Sequence, residues 1–126
     1  MRTLAAPALA LISGVLIGAF SVPALRAQPG GQGAYVVAEA HVTDPASFMQ
    51  YMQREPVTLA AYGGRIVARA LPDDREGAPP DGMVTIIAFA SPQDANHWYN
   101  SPEYMALSAL RQKAATSRIY IVSGVH

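Results

Sequence analysis

The chain contains no cysteine. A disulfide framework, a thiolate metal site, a cysteine nucleophile and a lipoprotein anchor are therefore excluded. Charge is scarce: 14% of the 126 residues are charged, and nine Lys and Arg balance nine Asp and Glu. A neutral chain is not built to hold nucleic acid through a basic surface. There is no P-loop, no Gly-rich dinucleotide turn after a strand, no HExxH helix and no serine nucleophile elbow. No metal and no cofactor is expected on that ground. What the chain does have is apolar residues, 51% of the total. That composition excludes disorder, and the length suits one domain of ordinary size.

The first segment reads as an address. Arg2 precedes an uncharged run from Leu4 to Phe20, and small residues follow up to Ala27. A short basic start, an apolar run and a small-residue exit describe a secretory signal peptide, residues 1–27. Ala24 is an alternative last residue. Export, to the periplasm, follows from this reading. The rival is an uncleaved membrane anchor, although the run is slightly short for a bilayer span. Residues 28–33, rich in Gly and Gln, form a linker, and 34–126 form a single domain.

Ala34 to Val42 alternates with period two, with Val36, Ala38, Ala40 and Val42 on one side and Tyr35, Val37, Glu39 and His41 on the other. It reads as a strand. Asp44-Pro45, Ser91-Pro92 and Ser101-Pro102 each join an N-cap side chain to a proline at the first helical position. They start three helices, the first expected to kink or divide at Pro56 and to end at Gly63-Gly64. Arg65–Ala70, Met83–Phe89 and Arg118–Val122 read as strands, and the proline-rich Leu71–Gly82 as a loop. Leu107, Leu110 and Ala114 form the expected inner stripe of the last helix. The order is β-α-β-β-α-β with the second helix in two pieces, the ferredoxin-like α+β arrangement.

One sheet face, with Val36, Ala38, Ala40, Ile66, Ala68, Val84, Ile86, Ile119 and Ile121, is expected to lie under the helices. The other would carry Tyr35, Val37, Glu39, Arg65, Val67, Arg69, Ile87, Phe89, Tyr120 and Val122. That second set is too apolar for a solvated face. A contiguous apolar face marks an interface, so two sheets are expected to pack together in a homodimer.

The segments Ala34-Tyr-Val-Val-Ala-Glu39, Asp44-Pro45 with Tyr51, Tyr62-Gly-Gly-Arg65, Phe89 with Ser91-Pro92, Trp98-Tyr-Asn-Ser-Pro-Glu-Tyr104, Arg111 and Val122-Ser-Gly124 resemble the bacterial domain of unknown function 1330 family, within the dimeric α/β-barrel superfamily. The resemblance spans about Tyr35 to Gly124. It implies a ferredoxin-like subunit paired sheet to sheet into a homodimeric α/β barrel, and it implies no particular reaction. Members of the wider superfamily include cofactor-free monooxygenases, isomerases, haem enzymes and proteins without known catalysis.

Several residues carry a functional reading beside a structural one. Arg65 would hold a carboxylate or enolate through its rigid fork, or else pair with Glu39, Glu103 or a carbonyl. Glu39, on an apolar strand, would be an acid/base group, or an ion-pair partner of Arg65 or Arg118. His97 would be a general base or a haem ligand, or a helix-surface histidine. Trp98-Tyr99 would stack on a flat ligand, or anchor the second helix to the sheet. Tyr104 and Arg111 share one helix face and would line a pocket between helix and sheet, or brace a neighbouring element. His41 beside Asp44 reads as a turn residue. The acidic run Asp73-Asp74-Arg75-Glu76 with Asp81 lacks calcium-loop spacing and reads as a solvated loop. For each, the structural reading carries more weight.

The function that follows is binding of a small organic molecule within a dimeric barrel, with no established catalysis. The alternative is a cofactor-independent enzyme of monooxygenase or isomerase type. In it Arg65 would stabilise negative charge and Glu39 or His97 would move a proton. Candidate ligand-binding residues are Arg65, Trp98, Tyr104 and Arg111. No nucleic-acid partner is expected, and the membrane is met only through an uncleaved N-terminal segment.

Overall fold

The computed structural model describes residues 32–125. The expected signal segment, most of the linker and His126 lie outside the described residues. The element order is β1 (Ala34–Val42), α1 (Pro45–Ala60), β2 (Arg65–Ala70), β3 (Met83–Phe89), α2 (Pro92–Tyr99), α3 (Pro102–Ala114) and β4 (Ala115–Ser123). One four-stranded antiparallel sheet, ordered β2-β3-β1-β4, carries the helices on one face, the ferredoxin-like α+β arrangement.

Each helix begins where the sequence places its cap. Asp44 accepts from the Ser47 amide at 3.2 Å, Ser91 from Asp94 at 3.1 Å and Ser101 from Tyr104 at 3.2 Å. Each side chain satisfies an amide that the first turn leaves without a partner, and a proline follows each cap. Pro56 does not divide α1: it lies inside one continuous helix, on its exposed side. β4 begins at Ala115, directly after α3, earlier than the apolar run Arg118–Val122 suggests. The amides of Thr43 and Asp44 both donate to the Ala114 carbonyl, which ties the end of β1 to this junction.

Two strands sit differently from the sequence expectation. In β3, Ile87 lies opposite Val36 and Phe89 opposite Ala34, so Ile87 and Phe89 face the helices while Val84 and Ile86 face away. The strand is apolar at both parities, and only its register to β1 decides which side is buried. In β2, the pairing slips between Ile66 and Ala68. This bulge reverses the faces of the residues after it. Arg69 therefore joins Thr85 beneath the helices, and Ala68 joins Ile86 on the open side.

The core consists of Val36, Ile87, Leu59, Trp98 and Tyr104, with Phe48, Phe89 and Ala95 around them. The Trp98 ring packs on Phe89 (centroids 5.7 Å apart) and on Tyr104 (3.9 Å). Aromatic side chains bury large areas, so this cluster is what holds α2 and α3 on the sheet. Among the described residues no helix is long and apolar enough to cross a membrane.

Candidate functional site

Polar side chains lie inside this apolar layer. The buried stripe of α1 is Phe48, Tyr51, Glu55 and Leu59, and that of α3 is Tyr104, Leu107, Ser108, Arg111 and Ala114. The α3 stripe is thus turned from the expected Leu107, Leu110 and Ala114 toward Tyr104 and Arg111, and Leu110 is only partly buried. Where the two helices face each other, the Tyr51 and Tyr104 hydroxyls meet at 3.0 Å, and Tyr51 donates to Glu55 Oε1 at 3.1 Å. The second Glu55 oxygen accepts from Arg69, whose Nε donates to Thr85 Oγ1 at 2.9 Å.

Proton bookkeeping fixes the direction of this chain. A carboxylate only accepts, so the single Tyr51 proton goes to Glu55 and the Tyr104 proton goes to Tyr51. Burial pushes both phenols above their ordinary range, with the Glu55 charge adding to the shift at Tyr51. Both are neutral at physiological pH. The Arg111 guanidinium lies beside the Tyr104 hydroxyl and opposes part of that shift. The network thus runs Arg111, Tyr104, Tyr51, Glu55, Arg69, across the underside of α1 and α3.

Its two ends differ. Arg69 is paired with Glu55. Arg111, 6% exposed, pairs with no carboxylate among the described residues, and its buried Nε has no hydrogen-bond partner there. Arg111 lines a cleft of about 480 Å³ between the end of α2, the last turns of α3 and the edge strand β4. Ser117, on the helix side of β4, lines the same cleft, and its buried hydroxyl is also unpartnered. A buried polar group without a partner costs about 1–3 kcal/mol. Both atoms belong to residues that line this one cleft.

The structure brings Trp98, Tyr104 and Arg111 to this layer. Trp98 is sealed in the core, and its Nε1 donates to Thr58 Oγ1 at 3.0 Å. Glu39 lies on the opposite sheet face, where Arg118 Nε and Nη2 grip it at 2.7 and 2.9 Å. Those hydrogen bonds hold its carboxyl below the usual carboxylate range. Arg65 is exposed at the start of β2, with no carboxylate paired to it among the described residues. His97 is on the exposed side of α2. Glu39, Arg65 and His97 thus stand apart from one another and from the cleft. His41 meets Asp81 at 3.0 Å rather than Asp44. No group of three or more His, Cys, Asp or Glu is placed to hold a metal among the described residues.

Sequence reasoning missed Glu55, Ser117, Thr85 and the inward side of Arg69. Glu55 was within reach, because it stands four residues after Tyr51 on the buried stripe. Arg69 was not, because a bulge leaves no mark in the residue pattern of β2.

A family model described as "Domain of unknown function (DUF1330)" matches residues 33–125. No curated protein matches the chain. Among solved structures, the RPA0582 protein of unknown function from Rhodopseudomonas palustris is similar at 17% identity and TM-score 0.59, over 81% of this chain and 89% of that one. SnoaB, a cofactor-independent oxygenase from Streptomyces nogalater, is similar at 17% identity and TM-score 0.52, over 76% and 95%. A dimeric ferredoxin-like protein of unknown function from Thermobifida fusca gives 14% identity and TM-score 0.53, over 76% and 92%. At such identities the likeness is one of fold.

Proposed function

The chain belongs to the family described as domain of unknown function DUF1330, and on that premise we propose that it is an exported homodimeric protein that binds a small organic molecule in the cleft beside α3. The observation that carries this reading is the convergence of the unpartnered Arg111 Nε and Ser117 hydroxyl on one cleft. Its volume falls within the range of small-molecule sites. The lining is mostly polar, from Arg111, Gln112, Thr116 and Ser117, with Tyr99 and Ile119 adding a smaller apolar wall, which suits a polar organic ligand.

The second copy would cover the open sheet face. That face carries Tyr35, Val37, Val84, Ile86, Ala88, Tyr120 and Val122, with Tyr35, Tyr120 and Val122 more than 40% exposed. Its central charges, Glu39 and Arg118, already pair within the subunit, so covering them leaves neither without a partner. The face thus suits a copy of itself through a two-fold interface. The dimeric neighbour from Thermobifida fusca supports the same assembly.

Thermal-shift measurement against a library of small organic molecules tests the binding reading. At least one chemical class is expected to raise the melting temperature of the wild type and to do so less in Ser117→Ala. A library without any stabilising member would contradict it. Amino-terminal sequencing of material from the periplasm tests export: the chain is expected to begin at Gln28, and an intact Met1 in the cytosol would overturn that part.

A further inference from the structure

We infer that the cleft takes a small organic carboxylate, its charged end held by Arg111 and Ser117. This rests on the binding reading above and narrows it to one ligand class. The first ground is a count of charge. Among the described residues, three charged groups lie in the layer between helices and sheet: Glu55, Arg69 and Arg111. Glu55 is spent on Arg69 and Tyr51. Tyr51 and Tyr104 are neutral, because burial raises both phenols. The layer therefore keeps one uncompensated positive charge, on a residue only 6% exposed. A buried guanidinium without an anion is an arrangement that folded chains avoid. The missing anion is supplied from outside, through the cleft that Arg111 lines.

The second ground is hydrogen-bond direction. Arg111 only donates, and its neighbour Tyr104 has already committed its proton to Tyr51. Nothing in the network can turn round to accept from Arg111 except the Tyr104 oxygen. Ser117 adds a hydroxyl with no partner, on the same wall. A guanidinium that only donates and a hydroxyl free to donate on the same wall suit an acceptor, and a carboxylate offers two oxygens in the plane that a guanidinium fork matches. The third ground is the remainder of the lining. Tyr99 packs edge-on to Trp98, with ring centroids 6.3 Å apart, and borders the cleft beside Ile119. An apolar or aromatic body joined to the carboxylate fits that wall. An inorganic phosphate would bring more negative charge than the one arginine of the lining can meet, and would leave the Tyr99 and Ile119 wall uncovered.

The test uses the purified protein and matched probe pairs: acetate with acetamide, benzoate with benzamide, and phenylacetate with phenylacetamide, with inorganic phosphate as a further probe. Affinity is read by calorimetry at low and high salt. At least one carboxylate is expected to bind ten-fold or more tightly than its amide, and to weaken as salt rises. Arg111→Gln is expected to abolish the preference for carboxylate over amide. Ser117→Ala, a small change at a strand position that also removes a buried unpartnered hydroxyl, is expected to weaken the carboxylate several-fold with the melting temperature of the free protein unchanged or raised. That second variant keeps the test decisive where Arg111→Gln fails to fold. Amides binding as well as their acids would overturn the carboxylate assignment and leave small-molecule binding standing. Phosphate binding more tightly than every carboxylate would overturn it too. If nothing binds, acids and amides alike, the binding reading itself fails.

Discussion

The hydrogen-bond chain beneath α1 and α3 has a direction, and that direction predicts unequal costs for two mutations that each delete one phenolic oxygen. Tyr104→Phe removes a donor whose only acceptor is Tyr51. Tyr51 keeps its own bond to Glu55, so the loss is one neutral hydrogen bond, about 1 kcal/mol, together with the Arg111 contact to the Tyr104 oxygen, which goes in either background. Tyr51→Phe removes more. Glu55 Oε1 loses its phenol, and the Tyr104 proton is left in the core facing Phe, since the adjacent Arg111 cannot accept it. A charge-assisted bond and a stranded donor together amount to about 3 kcal/mol. In the Tyr51→Phe background, Tyr104→Phe removes a proton that has no acceptor, so the second change should cost only the Arg111 contact. The two single costs should therefore exceed the cost of the double variant, with a coupling energy of about 1 kcal/mol. Urea denaturation followed by circular dichroism measures all four proteins. On melting, about 1 kcal/mol corresponds to about 4–8 °C in a domain of this size. Costs that simply add would refute the assigned hydrogen-bond chain.

Three further outcomes follow from the same structure. Because Tyr51 and Tyr104 are held above the ordinary phenol value of 10.0, their stabilisation is complete below that pH and is lost as pH rises past it, when the unfolded phenols ionise and the folded ones do not; stability is expected to fall above about pH 10, less steeply in Tyr51→Phe, and a pH-independent plateau to pH 12 would contradict this. Gly82 holds φ +82°, and a Cβ there would stand 2.1 Å from the Ala40 carbonyl oxygen, so Gly82→Ala should cost about 2 kcal/mol or more by urea denaturation, and an unchanged midpoint would contradict it. Val122→Glu places a charge on the open sheet face without touching the core, and sedimentation should then show single folded subunits where the wild type shows pairs; a wild type that sediments as single subunits at high concentration would remove the dimer.

The parts legible in the sequence were those written in local chemistry. Asp44-Pro45, Ser91-Pro92 and Ser101-Pro102 announce three helix starts because a cap and a proline act within one turn. Tyr104 and Arg111 could be placed on one face because helical spacing is regular. What was not legible depends on pairing between distant residues. Met83-Val-Thr-Ile-Ile-Ala-Phe89 is apolar on both faces, so its phase is set by Val36 lying opposite Ile87 and not by its own residues. The open face stays apolar under either phase, and the case for a covered sheet therefore survives the exchange of Ile87 and Phe89 for Val84 and Ile86. The bulge in β2 moved Arg69 inward, and with it the counter-charge of Glu55. Without that pair in view, the uncompensated charge of Arg111 could not be recognised from the sequence.

Native mass spectrometry of the protein purified without added ligand tests the central claim, small-molecule binding in the α3 cleft, most directly. A small organic mass is expected to travel with each subunit of the wild type, to be missing from Arg111→Gln and to be reduced in Ser117→Ala. A wild type that flies bare, and stays bare after incubation with a broad mixture of small organic molecules, would contradict it.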